Sequence, residues 1–134
     1  MSDVLHGPET RMVFAVFPEN TNHYHTLFGG TAMAWMDKAA FICATRWCRR
    51  RVVTARTSAI EFKHPVHEGS IVELFAKVTA TGRSSMTISI EMWIEPMDRD
   101  DRVMCCSGEF VMVAVDDDGT TIEVPALTAE TSID

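Results

Sequence analysis

The stretch that decides the fold is GTAMAWMDKAAFICATRWC, residues 30–48. It is long, rich in alanine and methionine and free of proline, which predicts a helix from Gly30 to about Cys48. Because it is apolar on nearly all sides, we expect this helix to be buried rather than laid on a surface. One carboxylate, Asp37, interrupts the apolar stretch, and the adjacent Lys38 points elsewhere. We expect Asp37 to be either a buried, unpaired and costly charge with a chemical role, or a residue bonded to a neighbouring strand or a second subunit.

Strand patterns occur both before and after the predicted helix in the sequence. Apolar and β-branched runs predict one strand before it, at 10–17, and four after it, at 52–63, 70–80, 85–94 and 102–115. The last three are joined by short turns and are predicted to be antiparallel neighbours. One sheet covers only one side of a helix, so we expect a curved sheet with a partner subunit completing the cover. This predicts an α+β, hot-dog fold: a curved antiparallel five-stranded sheet wrapped around one long central helix.

Length and composition indicate a single domain. The chain has 134 residues, of which 46% are hydrophobic and 23% charged. We predict one domain over 1–134, with an ordered core at about 9–125 and loose termini at 1–8 and 126–134. The net charge of −7 disfavours nucleic-acid binding. No apolar run approaches the roughly 18 residues that cross a bilayer, and the first residues have no signal-peptide pattern.

The four cysteines, Cys43, Cys48, Cys105 and Cys106, show no CxxC spacing. We therefore expect reduced, packed thiols in a cytoplasmic protein, with no disulfide and no metal site. Cys105 and Cys106 are adjacent, and in a regular strand adjacent side chains point to opposite faces.

A glycine pair, Gly29-Gly30, lies where the helix should begin. Glycine lets a ligand approach the backbone closely, and the free N–H groups of a helix start attract developing negative charge. Asp37 follows Gly30 by seven residues, about two turns down the same side of the helix. The pair could polarise a carbonyl while Asp37 faces the reacting carbon, or it could be a simple joint between loop and helix.

Several motifs, in order, resemble the acyl-CoA thioesterases of the hot-dog superfamily, which include bacterial YciA-type and eukaryotic cytosolic acyl-CoA hydrolases. The resemblance covers about residues 12–125. It is carried by Asn22, Phe28-Gly29-Gly30, Met36-Asp37, Val52-Val53-Thr54, Phe62-Lys63-His64-Pro65-Val66, Glu68-Gly69, Gly82-Arg83-Ser84-Ser85 and the run from Phe110 to Asp116.

The resemblance implies hydrolysis of fatty acyl-CoA to free acid and CoA, without a cofactor. Asp37 would be the general base acting on water, or the nucleophile. Asn22 would place the water or the thioester from the opposite subunit of a homodimer, or of a trimer of dimers. The amides of Gly29 and Gly30 would form the oxyanion site.

The CoA end of the substrate is assigned to other residues. The resemblance implies that Arg83, Ser84 and Ser85 hold the pantetheine and nucleotide. Lys63 and the arginines at 49–51 are weaker candidates for the phosphates. We interpret the arginine-rich run 46–51 as a solvated helix end, where cations favour the C-terminal dipole, with a phosphate site as the alternative.

His25 departs from the family pattern, and several other residues have more than one interpretation. His25 stands where relatives usually have glycine, three residues after the asparagine; it could crowd the site, add a second base or point outward. We interpret His64 and His67 as turn and surface residues. Five apolar side chains could line an acyl tunnel or could simply pack in the core: Met33, Trp35, Met36, Phe41 and Trp93.

Two other functions are weighed against hydrolysis. Residues 20–25, NTNHYH, echo the D-x-N-P-x-H pattern of hot-dog enoyl-CoA hydratases. However, Asn20 replaces the aspartate and cannot act as a base, and His23 replaces the proline. A non-catalytic acyl-CoA-binding module is the other alternative, and Asp37 argues against it because a binder gains nothing from a charge beside an acyl chain.

Overall fold

The computed structural model describes residues 7–128, and the loose ends predicted at 1–6 and 129–134 lie outside them. In chain order the elements are β1 (Glu9–Ala15), α1 (Gly29–Cys48), β2 (Arg51–Thr57), β3 (Glu61–Phe62), β4 (Ile71–Thr81), β5 (Ser85–Glu95) and β6 (Val103–Val115). A short 3-10 turn, Pro18–Asn20, precedes the helix.

The described parts of the predicted loose ends are held against the domain. The carbonyl of Pro8, which is buried, accepts a hydrogen bond from the Val78 N–H at 2.9 Å. The Leu127 N–H donates to Thr81 Oγ1 at 2.9 Å, and its side chain packs against the core. Backbone hydrogen bonds that the sequence pattern does not reveal therefore hold Pro8 and Leu127 against the domain.

The sheet is antiparallel, with strand order β1-β4-β5-β6-β2. This confirms the five-stranded sheet and the predicted neighbours β4, β5 and β6. The strand predicted at 52–63 is interrupted, and its two parts, β2 and the two-residue β3, both pair with β6. β2 also shifts its register between Thr54 and Arg56.

The core lies between the sheet and one face of α1. Along β4 every second side chain is buried, which puts Val72, Leu74, Ala76 and Val78 on the helix side. A buried helical stripe meets them: Ala32, Met36, Ala39, Ala40, Cys43, Ala44, Trp47 and Cys48. The small alanines let the helix approach the sheet closely.

The outer face of α1 is not covered. Met33, Ala34, Asp37, Lys38 and Phe41 are exposed. The sheet packs against only one face of α1, so a single chain leaves this outer face open, as the expectation of a partner subunit on the helix allows. Most of the exposed side chains are apolar, as the sequence indicated.

A β-bulge places both adjacent cysteines of β6 in the core. Met92 pairs with Cys106 but Trp93 pairs with Met104, so Cys105 is the extra residue of the bulge. Both are buried, and their sulfurs lie 3.9 Å apart. The expectation that they point to opposite faces is wrong, because the bulge breaks the alternation of the strand.

Among the described residues, α1 included, no helix is long and apolar enough to cross a membrane.

Candidate active site

Asp37 lies on the outer face of α1 and is held by a strand residue. Its Oδ1 accepts a hydrogen bond of 2.8 Å from the hydroxyl of Thr54 on β2. Asp37 is therefore exposed and hydrogen-bonded in the single chain, and the expectation of a buried, unpaired carboxylate is wrong. The alternative of a bond to a neighbouring strand is confirmed. The hydroxyl fixes one carboxylate oxygen and leaves the other to act on a bound molecule.

Apolar side chains surround this carboxylate. Met33 and Phe41 lie four residues before and after Asp37 on α1, on the same face of the helix, and are 41% and 46% exposed. β2 ends the strand order, and within residues 7–128 its outer edge pairs with no strand. Apolar surface beside an open strand edge favours association with another chain, which would exclude water from Asp37.

Asn22 lies in the loop before α1, where its side chain is fixed by its own neighbours. Its Oδ1 accepts hydrogen bonds from the Tyr24 N–H at 2.9 Å, the Thr26 N–H at 3.2 Å and the Thr26 hydroxyl at 3.1 Å. This arrangement orients the amide, so that its NH₂ group can donate to a bound molecule.

Gly29 and Gly30 are the first two residues of α1. The N-cap residue, Phe28, makes no side-chain cap, and the first turn carries no acidic residue. A Cβ at either glycine would meet nothing within 4 Å, so packing within the chain does not require glycine here. The Phe28 N–H donates to the Asn20 carbonyl at 3.1 Å, which brings the Asn22 loop against this open helix start.

The glycine pair and Asp37 are too far apart to act on one thioester within a chain. Seven residues of α-helix at 1.5 Å each separate Gly30 from Asp37 by about 10 Å. The free N–H groups at the start of α1 point out of its N-terminus, away from Asp37, so a carbonyl that they bind lies further still from this carboxylate. The sequence expectation that both act together therefore requires that they come from different chains.

The hairpin between β4 and β5 holds Arg83, Ser84 and Ser85. The Gly82 N–H donates to the Ser85 carbonyl at 2.9 Å, and a Cβ on Gly82 would lie 2.6 Å from Ser85 Oγ, so a larger residue here would force the Ser85 hydroxyl to move. The register places Ser85 on β5 one residue beyond the row that contains Thr54 on β2. Two interstrand spacings separate these strands, so the hairpin lies about 10 Å from Thr54 in the same chain. Arg83 is exposed.

Lys63 is not near Asp37 in the single chain. Its N–H donates to the Cys105 carbonyl at 2.8 Å, seven residues along β6 from Met112, which is the partner of Thr54. At about 3.4 Å per residue this is roughly 24 Å. The arginines at 49–51 follow the C-terminus of α1. Arg51 pairs with Val115 of β6, which places these arginines at the same end of the sheet as Arg83.

His25 has a left-handed backbone, with φ of 66°. This conformation favours glycine, which gives a physical reason for glycine at this position in the related family. Its ring is 78% exposed, and Nδ1 lies 3.1 Å from Glu68 Oε1. His25 therefore points outward to Glu68. His64 and His67 are exposed, as predicted for turn and surface residues.

The acyl-tunnel candidates divide into three groups. Met36 is buried in the core, and Trp35 stacks on Phe14 with ring centroids 4.6 Å apart. Trp93 donates to Glu91 Oε1 at 2.9 Å, and alternation with the buried Met92 puts it on the sheet face away from α1. Met33 and Phe41 alone lie exposed beside Asp37. A pocket of about 240 Å³ near Ser70, Pro96 and Arg102 lies elsewhere, at the β5–β6 turn.

Sequence reasoning missed Thr54 as a site residue. It belongs to Val52-Val53-Thr54, which carries part of the resemblance, but its chemical role depends on a contact with a helix 17 residues earlier. A threonine in a β-branched strand gives no signal of its own.

Comparisons with known proteins agree on one family. The sequence profile of the thioesterase superfamily matches residues 24–100. The uncharacterised acyl-CoA thioester hydrolase YkhA of Bacillus subtilis is 36% identical over 95% of this chain and 78% of its own length. A hexameric thioesterase of Yersinia pestis is 35% identical, with a TM-score of 0.79 over 86% of this chain and 93% of that one.

An acyl-CoA hydrolase of Staphylococcus aureus has been solved with butyryl-CoA and CoA. It is 34% identical, with a TM-score of 0.86 over 91% of this chain and 74% of that one. Structures of that enzyme also exist with single alanine substitutions of an asparagine, an aspartate and a threonine.

Proposed function

This chain belongs to the thioesterase superfamily, and from that premise we propose that it hydrolyses the thioester of fatty acyl-CoA, releasing free acid and CoA. The chain is an acyl-CoA thioester hydrolase, as its relatives in Bacillus subtilis and Staphylococcus aureus are named. It acts in the cytoplasm, an assignment supported by four free and buried cysteines.

The observation that carries the proposal is the hydrogen bond of 2.8 Å from Thr54 to Asp37. It holds a carboxylate in fixed orientation on an apolar, exposed surface where an acyl chain can lie. As a general base, Asp37 takes a proton from water while the oxygen attacks the thioester carbon, and the C–S bond then breaks to release CoA. As a nucleophile, it would form an acyl anhydride that water subsequently cleaves.

The complete site takes residues from two chains of a homodimer, which can assemble further into a trimer of dimers. Asn22, Gly29 and Gly30 of one chain face Asp37 and Thr54 of another. The separation of about 10 Å between Gly30 and Asp37 along one helix supports this division. The apolar outer face of α1 and the open edge of β2 give the surface for association, and a hexameric relative supports the assembly.

The substituted residues of the Staphylococcus aureus enzyme support these assignments. Its asparagine, aspartate and threonine are separated by 15 and 17 positions in sequence order. Asn22, Asp37 and Thr54 have the same residue types at the same separations. Thr54 is thus assigned as the residue that positions Asp37.

The CoA end of the substrate is bound through Arg83, with Ser84 and Ser85. A chain of net charge −7 repels a nucleotide that carries several phosphates, so a local cation is needed. Arg83 is exposed on a hairpin about 10 Å from Thr54, whereas Lys63 of the same chain is roughly 24 Å away along β6. Lys63 can contribute only from a second chain.

A direct test compares wild type with Asp37→Asn. Hydrolysis of acyl-CoA esters of increasing chain length is followed with a thiol-trapping dye. Loss of a general base should reduce the rate by about 10²–10⁴. The melting temperature should hold or rise, because asparagine can still accept the hydrogen bond from Thr54 and Asp37 makes no ion pair within residues 7–128. Asp100→Asn, in an exposed turn, serves as the matched control. Full activity in Asp37→Asn would refute the role of this carboxylate.

The same protein preparations distinguish hydrolysis from the two alternative functions. A hydratase would add water to crotonyl-CoA without releasing thiol, and a binding module would bind acyl-CoA without turnover. The Asn20 side chain argues against the hydratase, because its Oδ1 accepts the Phe17 N–H at 2.9 Å within its own turn.

A further inference from the structure

The sulfur atoms beneath α1 form a cluster with no role in hydrolysis. The Cys106 sulfur lies 3.9 Å from the Cys105 sulfur and 3.9 Å from the Met36 sulfur. The Met36 side chain comes from the inner face of α1, whereas both cysteines come from the bulge of β6. All three residues are at most 1% exposed.

The bulge is what creates this cluster. In a regular strand one of two adjacent cysteines would point out of the core. Here the extra residue, Cys105, turns its side chain to the same side as Cys106. Two thiols and one thioether therefore converge from two separate elements.

We propose that Cys105, Cys106 and Met36 form a binding site for a soft monovalent cation, Cu(I). Thiolate and thioether sulfurs are the ligands that select Cu(I). Zinc prefers four ligands drawn from cysteine, histidine and carboxylate, and a thioether is not among them.

The spacing of the sulfurs suits a three-coordinate centre. A metal–sulfur bond is about 2.3 Å long, so three sulfurs around one cation in a plane lie about 4.0 Å apart. The two sulfur–sulfur distances at Cys106, both 3.9 Å, match two edges of such a triangle.

Binding of Cu(I) would release protons from the cysteine thiols. Each metal–thiolate bond that forms releases one proton from a thiol to solvent, while the thioether binds as a neutral ligand. With both cysteines bound as thiolates, two protons leave and the centre carries one net negative charge. No electron is transferred, so copper must be supplied as Cu(I).

The test uses the full, reduced chain without oxygen. It is equilibrated overnight with Cu(I) bis-bicinchoninate, because the buried thiols require local opening for entry. Wild type should remove one equivalent of Cu(I) per chain from the coloured chelate, and X-ray absorption should show three sulfurs at about 2.3 Å. Copper should also raise the melting temperature, as any ligand of the folded state does.

Three variants locate the site. Cys106→Ala should abolish competition with the chelator, whereas Cys43→Ala/Cys48→Ala, which removes the two other buried thiols, should keep it. Met36→Leu conserves volume and should weaken binding by about 10-fold or more, the loss that even outer-sphere partners of a metal show.

Several results would overturn the assignment. Wild type that takes no copper after equilibration would show that the sulfurs are only packed together. Equal loss of binding in Cys43→Ala/Cys48→Ala would place the copper elsewhere. Unchanged affinity in Met36→Leu, or two sulfurs by X-ray absorption, would exclude the thioether. If Cys106→Ala does not fold, Met36→Leu and the absorption spectrum still decide the proposal.

Discussion

Mixing two inactive variants tests whether the active site is shared between chains. In Asn22→Ala the residue that places the substrate is lost, and in Asp37→Asn the carboxylate is lost. A heterodimer of the two has one site with both defects and one site with Asn22 from one chain and Asp37 from the other. That second site is wild type at both positions.

The size of the recovery follows from this geometry. When equal amounts of the two chains associate at random, about half of the dimers are heterodimers, and half of their sites are complete. The mixture should therefore show about a quarter of wild-type activity above the mean of the two parents. Chains are co-expressed with two different tags, and thiol release from acyl-CoA is measured with a trapping dye.

A second mixture checks the same geometry in the opposite direction. Wild type is combined with the double variant Asn22→Ala/Asp37→Asn in equal amounts. Every site of a heterodimer then lacks one partner, so about a quarter of the activity of an all-wild-type sample should remain. If each chain contained its own complete site, about half would remain. Activity at the parental mean in the first mixture, or at half in the second, would refute the shared site.

Four further outcomes are expected. Thr54→Val should reduce kcat/KM about 10-fold or more through loss of a hydrogen bond to a charged group, while Thr57→Val on the same strand should not; equal effects would make Thr54 structural. Arg83→Ala should raise KM for CoA thioesters but not for a short thioester without the nucleotide, with Arg99→Ala as control, and equal losses on both substrates would remove Arg83 from the CoA site. The free energy of unfolding of His25→Gly should be about 1 kcal/mol higher than that of His25→Ala, because both variants lose the contact with Glu68 but only glycine relieves the strain of the left-handed backbone conformation. Equal stabilities in denaturant titrations would contradict this. Light scattering should show a dimer or larger assembly, and an active 15.0 kDa monomer at micromolar concentration would exclude the shared site.

The sequence by itself determined the elements and their order. A long, proline-free apolar stretch predicted α1 to within one residue, because helix formation depends on local propensity and periodicity. Apolar and β-branched runs predicted the strands, and short turns predicted the pairing of β4, β5 and β6. Asp37 also stood out locally, as a charge in an apolar segment.

Only the tertiary structure decided how these elements meet. The contact between Thr54 and Asp37 joins an edge strand to a helix, and no local pattern encodes which threonine will face the carboxylate. Likewise, one extra residue in β6 turned Cys105 and Cys106 to the same side, since a bulge depends on the register with β5 rather than on β6 alone. The exposure of Asp37 has the same origin: periodicity shows that α1 is apolar all round, but only packing shows which face the sheet covers.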